Sequence, residues 1–369
     1  MDQGSKEAII SIPDNYQNIA FYLNTLTIKL VCIRMNLRKV LLFNKEKVNN
    51  IIHEFRSESS LNFKSESSNL GSILTPWYIT GISDGEGSFQ IIIQDIKGKG
   101  KTGYKPFLEF KITQKYHSIN LLREIKKFFG CGRINVDNSK TGTVKFVITN
   151  NDDLINKVIP HFDEYKLKTS KYLNYLDFKK AIIMMSEKKH YNIEGINNLK
   201  EIKSNMNKLR SFEDKFYHCW NKDIIIEPDW VQGFIDGEGS FQCEIYFSNI
   251  TKVYPIINFS LQIKQSNHDV AVLYGIRKFF NSGYLKPKYD IKNMTMALNA
   301  VRNTTALWIR NFEVICNFID LYPLYTIKRL NYLDWKRLIN LKKVNAHLNK
   351  EGLELMKTIK MSMNDKRIK

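Results

Sequence analysis

Two glutamates, Glu86 and Glu238, sit in the same heptapeptide, Asp-Gly-Glu-Gly-Ser-Phe-Gln, read once from Asp84 to Gln90 and again from Asp236 to Gln242. Each follows an apolar run, Trp77-Tyr-Ile-Thr-Gly-Ile-Ser83 in one case and Trp230-Val-Gln-Gly-Phe-Ile235 in the other. A helix C-terminus carries partial negative charge, so a carboxylate there is disfavoured unless a positive charge answers it. If the two helices pack together, the two carboxylates converge and repel further. A divalent cation removes that conflict, and Mg²⁺ (or Mn²⁺) suits a site of carboxylates, carbonyls and water. Such a pair on a basic protein has the parts for phosphodiester hydrolysis by metal-activated water. One copy of Asp-Gly-Glu-Gly would read as an ordinary helix stop or turn. Two copies in matching positions favour chemistry.

The elements that would place these carboxylates form an internal repeat. Glu86 and Glu238 differ by 152 positions (238 − 86). Ile125-Lys-Lys-Phe-Phe-Gly-Cys-Gly-Arg-Ile134 matches Ile276-Arg-Lys-Phe-Phe-Asn-Ser-Gly-Tyr-Leu285 at an offset of 151 (276 − 125), and Asn174-Tyr-Leu-Asp177 matches Asn331-Tyr-Leu-Asp334 at 157 (331 − 174). Order and near-constant spacing mark a duplication. Each copy begins with a short helix, about Pro76–Glu86 and Asp229–Glu238, that stops at a glycine suited to unusual backbone angles. Gly81 and Gly233 would let the two helices approach closely. Strands follow, with Phe241, Cys243, Ile245 and Phe247 on one side and Ser240, Gln242, Glu244 and Tyr246 on the other. In the next strand Ile257, Phe259, Leu261 and Ile263 oppose Asn258, Ser260, Gln262 and Lys264; in the first copy Leu108, Phe110 and Ile112 oppose Lys105, Glu109, Lys111 and Thr113. A helix ending in Phe-Phe, two more strands (about 131–138 and 143–149; 283–289 and 292–299) and closing helices complete an αββαββα unit. The architecture is α+β, with helices on one face of each antiparallel sheet and the other face open, polar and basic. The expected boundaries are an extension and linker over 1–72, a first unit over 73–186, a linker over 187–225, a second unit over 226–345 and a basic tail over 346–369.

Composition narrows the function class. Among 369 residues, 56 Lys and Arg against 37 Asp and Glu give a net charge of +19 spread along the chain, which points to a polyanionic partner and first to nucleic acid. A hydrophobic fraction of 43% fits a folded globular protein. Cys32, Cys131, Cys219, Cys243 and Cys316 form no CxxC pair, which argues for free thiols and against a zinc site. The most apolar N-terminal run, Ile19–Met35, carries Asn24, Lys29 and Arg34 and is a poor membrane span. Enrichment in Lys, Asn, Ile, Tyr and Phe fits an AT-rich, organellar genome. Lys97-Gly-Lys-Gly-Lys-Thr102 lacks the earlier glycine of a phosphate-binding loop, since Asp95 stands there, and reads as a basic hairpin tip. His117 and His268 occupy matching positions (268 − 117 = 151) without a ligand cluster, so a turn or cap role is expected.

On Gly81-Ile-Ser-Asp-Gly-Glu-Gly87 and Gly233-Phe-Ile-Asp-Gly-Glu-Gly239, the chain resembles single-chain LAGLIDADG homing endonucleases encoded in organellar introns. The resemblance covers about Pro76 to Leu341. It implies pseudo-twofold units joined at their motif helices, sheets forming a saddle over the DNA major groove, and cleavage of both strands. By position it makes Glu86 and Glu238 the metal-binding acids, with Gly85 and Gly237 offering carbonyls, and Asp84 and Asp236 structural. Gln114 and Gln265, each at the end of a second strand and on its inward parity, would order the hydrolytic water. Lys168 would be the basic residue before the final helix. In the second copy Tyr325 stands in its place, so either the two strands are cut at different rates or Lys328 stands in. Outward residues expected to touch DNA are Gln90, Gln94, Lys105, Lys111, Arg133, Lys145, Gln242, Glu244, Tyr246, Asn258, Gln262, Lys264, Lys286 and Lys288. The resemblance implies a monomer without membrane attachment, acting on double-stranded DNA in a mitochondrion of fungal type. The alternative is a maturase that helps its own intron RNA splice, and a weaker one a non-catalytic DNA-binding regulator. A pure maturase has no need of both glutamates, so their presence favours the nuclease.

Overall fold

In the computed structural model, which describes residues 74–98, 100–220, 224–247, 254–286, 293–299, 303–364 and 367, the first motif helix starts at a capped turn. The Tyr78 amide donates to Thr75 Oγ1 at 3.3 Å, and Pro76 occupies the first turn, where a missing N–H costs nothing. This helix, α1, spans Pro76–Glu86 and runs straight into strand β1, Gly87–Asp95. The glycine after each motif glutamate is needed for space, not for unusual angles as the sequence suggested. Gly87 (φ −78°) and Gly239 (φ −72°) are ordinary extended residues. A Cβ would lie 2.6 Å from the Ser83 carbonyl oxygen in one and 2.7 Å from that of Ile235 in the other.

The first repeat continues with β2 (Tyr104–Lys115), α2 (Ile119–Phe129), β3 (Arg133–Asn138), β4 (Thr143–Ile148), α3 (Ile159–Glu164) and α4 (Lys171–Ser186). The stretch expected to connect the repeats is helical, with α5 (Ile193–Ser204) and α6 (Phe212–Trp220) burying Ile196, Leu199, Phe216 and Cys219. The second repeat comprises α7 (Pro228–Glu238), β5 (Gly239–Phe247), β6 (Pro255–Ser266), α8 (Val270–Phe280), β7 (Tyr284–Lys286), α9 (Met294–Leu298), β8 (Thr304–Ile309), α10 (Phe312–Leu321), α11 (Lys328–Lys343) and α12 (Lys350–Met361). The two sheets are antiparallel with equivalent orders, β1-β2-β4-β3 and β5-β6-β8-β7. The chain divides into a large unit, 67–340 with 354–369, and a smaller one whose described part, 341–353, includes a short turn of helix, Ala346–Leu348. No helix among the described residues is long and apolar enough to cross a membrane.

One strand lies elsewhere than expected. The second repeat's fourth strand is Thr304–Ile309, not about 292–299, where the helix α9 forms instead. Asn293 explains the difference: its side chain accepts the Met296 amide at 2.9 Å, capping a segment of helix-forming Met, Ala and Leu. The β-branched and aromatic residues that suit a strand come later, at Thr304, Thr305 and Trp308. The offset from Thr143 to Thr304 is therefore 161 (304 − 143), larger than the 151 found just before it.

Under each sheet lies an aromatic core. Phe89 meets Phe110, Phe162, Tyr175 and Phe178 at centroid distances of 5.1–5.6 Å, and Phe241 meets Tyr332 and Trp335 at 5.5 and 5.4 Å. Each buried ring contributes about 1.5–3 kcal/mol through lost apolar surface. Matching pins close both repeats. The Asn207 backbone amide donates to Asn174 Oδ1 at 2.8 Å and its side-chain Nδ2 to the Phe89 carbonyl at 3.1 Å; Asn364 does the same with Asn331 Oδ1 at 3.1 Å and the Phe241 carbonyl at 2.9 Å. Arg210 pairs with Asp177 as Arg367 pairs with Asp334. The connection 187–225 and the expected tail 346–369 thus hold equivalent structural residues.

The motif helices cross backbone against backbone, as the paired glycines predicted. A Cβ on Gly81 would stand 2.1 Å from the Trp230 carbonyl oxygen, and one on Gly233 2.3 Å from that of Tyr78. Only hydrogen fits at either position.

Candidate active site

The crossing sets the helix ends side by side. A Cβ on Gly85 would lie 3.6 Å from Glu238 Cγ, and one on Gly237 3.6 Å from Glu86 Cγ, so both glutamates leave the seam together. Burial pushes the Glu86 carboxyl above its ordinary value, against the pull of Lys328 and Lys171. Burial, and then the charge of Glu86, push Glu238 up, while Lys171, Lys328 and a hydrogen bond from Gln265 oppose them. Repulsion between converging carboxylates is therefore present as the sequence implied. Two lysines of the fold already answer part of it.

Those lysines are Lys171 and Lys328, the first residues of α4 and α11, at an offset of 157 (328 − 171). Lys171 Nζ donates to the Gly85 carbonyl at 2.7 Å and to that of Ser83 at 3.3 Å. Lys328 Nζ donates to the Gly237 carbonyl and, at 3.4 Å, to that of Ile235. The two carbonyls expected to face a metal thus each hold an amine. Burial pulls both amines below their ordinary range; Asp84, Glu238, Glu86 and Asp269 act upward on Lys171, and Asp236, Glu86 and Glu238 on Lys328.

Lys168 is elsewhere. Its amine pairs with Glu227 at 2.6 Å and lies over the rings of Trp77 and Trp230, at 4.5 and 5.8 Å from their centroids. Its counterpart Tyr325 packs edge-on against Tyr78 at 5.0 Å. Both side chains cover the N-terminal half of a motif helix, so the Lys-to-Tyr difference removes no cation from the glutamates. Sequence reading missed Lys171, although the 157 offset that aligns Asn174 with Asn331 also aligns Lys171 with Lys328.

The motif aspartates are structural. Asp84 accepts the amides of Lys168 and Thr169 at 2.9 and 3.1 Å, the Thr169 hydroxyl at 2.6 Å and Trp230 Nε1 at 2.8 Å. Asp236 accepts the amides of Tyr325 and Thr326 at 2.7 and 3.2 Å, the Thr326 hydroxyl at 2.5 Å and the Tyr78 hydroxyl at 2.7 Å. Each therefore fixes the turn before its own repeat's lysine helix and locks the facing motif helix. With all its acceptor capacity used, neither is free to bind a metal.

Two clefts open beside the seam. One is lined by Glu238, Gln265, Lys171, Gly85 and Asp269, the other by Glu86, Gln114, Lys328, Gly237 and His117. Each cleft thus combines the glutamate and strand-end glutamine of one repeat with the lysine and glycine carbonyl of the other. Gln114 Nε2 is buried and, among the described residues, has no hydrogen-bond partner. Buried donors of this kind are rare and call for a partner such as ordered water. Among the described residues no group of three or more His, Cys, Asp or Glu is placed to hold a metal. The glutamate pair nonetheless fits Mg²⁺, which keeps several waters and takes one or two carboxylates together with substrate phosphate oxygens.

The strand registers put the expected DNA-facing residues on the open sheet faces. Gln94 is opposite Lys105, Gln90 opposite Glu109, and Arg133, Lys111 and Lys145 share that face; Gln242, Glu244 and Tyr246 oppose Ser260, Asn258 and Ile256, with Gln262, Lys264 and Lys286 alongside. Lys288 lies outside the described residues. Glu109, expected outward, is on that face yet buried, because Lys111 and Lys145 fold over it at 3.6 Å each.

Residues 79–182 and 231–339 match the family model described as LAGLIDADG endonuclease. Among curated relatives, probable intron-encoded endonuclease 3 of Neurospora crassa is 30% identical over 306 residues, covering 79% of this chain and 55% of the relative. Probable intron-encoded endonuclease 2 of the same organism is 30% identical over 310 residues, covering 79% and 65%. This chain therefore spans roughly half to two thirds of those relatives' length. The solved structure of the I-SmaMI LAGLIDADG homing endonuclease bound to cleaved DNA superposes with a TM-score of 0.68 at 28% identity, covering 80% of this chain and 98% of that one. The same relative has been solved on uncleaved DNA in the presence of calcium ions and with two lysines changed to alanine. Two motif helices with glycines at the crossing, two equivalent four-stranded sheets and a family match over both repeats lead to one statement: this chain belongs to the LAGLIDADG endonuclease family.

Proposed function

We propose that the chain is a site-specific endonuclease that cuts both strands of double-stranded DNA. The observation that carries this reading is the pairing of Glu86 and Glu238 at one seam, with a lysine from the opposite repeat in each cleft. The open sheet faces supply recognition: Lys and Arg suit guanine and phosphate, Gln and Asn suit adenine. Gln90, Lys105, Arg133 and Lys145 would serve one half-site, and Gln242, Asn258, Gln262 and Lys286 the other.

A divalent cation held by the carboxylates of Glu86 and Glu238 would supply an activated water and charge stabilisation at the scissile phosphate. The chain's own groups do the rest. Lys171 and Lys328, anchored on glycine carbonyls, each point one fixed positive charge into a cleft, where developing phosphate charge is stabilised without reorganisation. Gln114 and Gln265 line the two clefts; the amide of Gln114, unpartnered among the described residues, would hold the attacking water, and that of Gln265 would orient Glu238. Lys168 is assigned packing and ion pairing with Glu227. We further propose that the protein works as a monomer, since both clefts are built from one chain, and that it acts in a mitochondrion, in keeping with its intron-encoded fungal relatives.

A plasmid library with randomised sites, incubated with the protein and Mg²⁺ or Mn²⁺ and sequenced at the cut ends, tests the reading. Recovery of one recurring site with paired breaks is the expected result. No break anywhere, together with binding to intron RNA, would replace the nuclease by the maturase.

A further inference from the structure

Asp269 is a buried carboxylate that the proposed chemistry does not use. It lies in the turn between β6 and α8 of the second repeat, and it reaches into the first. Its Oδ1 accepts the Ser170 amide at 2.7 Å and the Cys219 thiol at 3.2 Å; its Oδ2 accepts the Ser170 hydroxyl at 3.2 Å and faces His268 Nε2 at 3.3 Å. Ser170 immediately precedes Lys171. In the other half the matching residue is Ser118 (269 − 118 = 151), and its hydroxyl accepts the Ile327 amide at 3.3 Å, directly before Lys328. His117 Nδ1 lies 3.1 Å from that hydroxyl. Each repeat therefore clamps the residue ahead of the other repeat's lysine, at the same place in the fold and with different strength.

We infer that Asp269 is a positioning residue for Lys171, that Ser118 does the same for Lys328 more weakly, and that the two clefts are unequal for this reason. The inference rests on the endonuclease reading. A carboxylate with several donors makes stronger, shorter bonds than one hydroxyl, and holds the start of α4 from two directions. Burial pushes the Asp269 carboxyl up, but His268, Ser170 and Cys219 bring it below its ordinary range, so it stays charged. That charge also acts on Lys171, and no counterpart acts on Lys328.

The test follows each strand separately on an end-labelled duplex of the recovered target with Mg²⁺ under single-turnover conditions. Lys171→Ala identifies the strand served by the Lys171 cleft. Asp269→Ala should slow that strand about tenfold to a hundredfold, the scale of a misplaced group, leaving the other strand and the DNA affinity unchanged. Asp269→Asn, which keeps an acceptor and the shape, should recover most of the loss. If Asp269→Ala does not fold, a smaller deficit of Asp269→Asn confined to the same strand carries the inference. Equal slowing of both strands, or none, overturns it, because a merely structural tie between repeats has no strand preference. Failure of the wild-type protein to cut any duplex would instead bring down the endonuclease reading, and this inference with it.

Discussion

In the Glu238 cleft, Gln265 bonds to the carboxylate, Lys171 leaves a turn clamped by Asp269, and a buried thiol and a histidine complete the clamp. In the Glu86 cleft, the Gln114 side-chain nitrogen has no partner among the described residues, and the residue ahead of Lys328 is tied across the repeats by one serine hydroxyl, which accepts the Ile327 amide. Glutamate, glutamine, lysine and glycine carbonyl recur in both. What differs is the layer behind them. Duplication has kept the groups that line both clefts and let their supports diverge, so under the proposed endonuclease function similar chemistry at unequal rates is the expected outcome.

The severest way to break both clefts at once is at the crossing. Gly81→Ala or Gly233→Ala drives a methyl into a carbonyl oxygen at 2.1 or 2.3 Å, and neither backbone can retreat. Overpacking of this kind costs about 1–3 kcal/mol or more; a fall in melting temperature with loss of cutting on both strands is expected. Glu86→Gln or Glu238→Gln should leave DNA binding intact in a gel-shift assay and lower cleavage of both strands by about a thousandfold, since one shared cation site is lost. Lys171→Ala and Lys328→Ala should each produce a nicking enzyme, slowing one strand by about a hundredfold. By contrast Lys168→Ala and Tyr325→Lys should leave the ratio of strand rates where it is.

The smallest effect concerns stability without metal. Glu86 and Glu238 have carboxyls raised above the ordinary glutamate value, so the folded protein binds their protons more tightly than the unfolded chain. Their contribution is fully present below the unfolded value and is lost as pH rises through the raised one. In a chelator, melting temperature should therefore be higher for Glu86→Gln than for wild type at neutral pH, and the difference should shrink on acidification. A variant less stable than wild type at pH 7 would show that the lysines outweigh the burial cost.

Much of this was readable in the sequence because its causes are local or repeated. The apolar runs with Gly81 and Gly233, the alternation in β2, β5 and β6, and the constant offsets needed only pattern. Lys171 was not readable in the same way. Lys166, Lys168 and Lys171 lie within one short segment, and which of them reaches a glycine carbonyl depends on how Asp84 and Asp269 fix the turn. The strand β8 was misplaced because an asparagine cap, a competition between helix and strand over a few residues, moved it downstream. Glu109 went unnoticed as a buried group because ion pairing with lysines from two strands, not alternation, decides its burial.

Each cleft borrows its lysine from the opposite repeat, and strand-resolved single-turnover cleavage by four variants tests this most directly. Lys171→Ala and Gln265→Ala should slow the same strand, and Lys328→Ala and Gln114→Ala the other. If Lys171→Ala and Gln114→Ala fall on one strand, each repeat serves its own phosphate and the account is wrong.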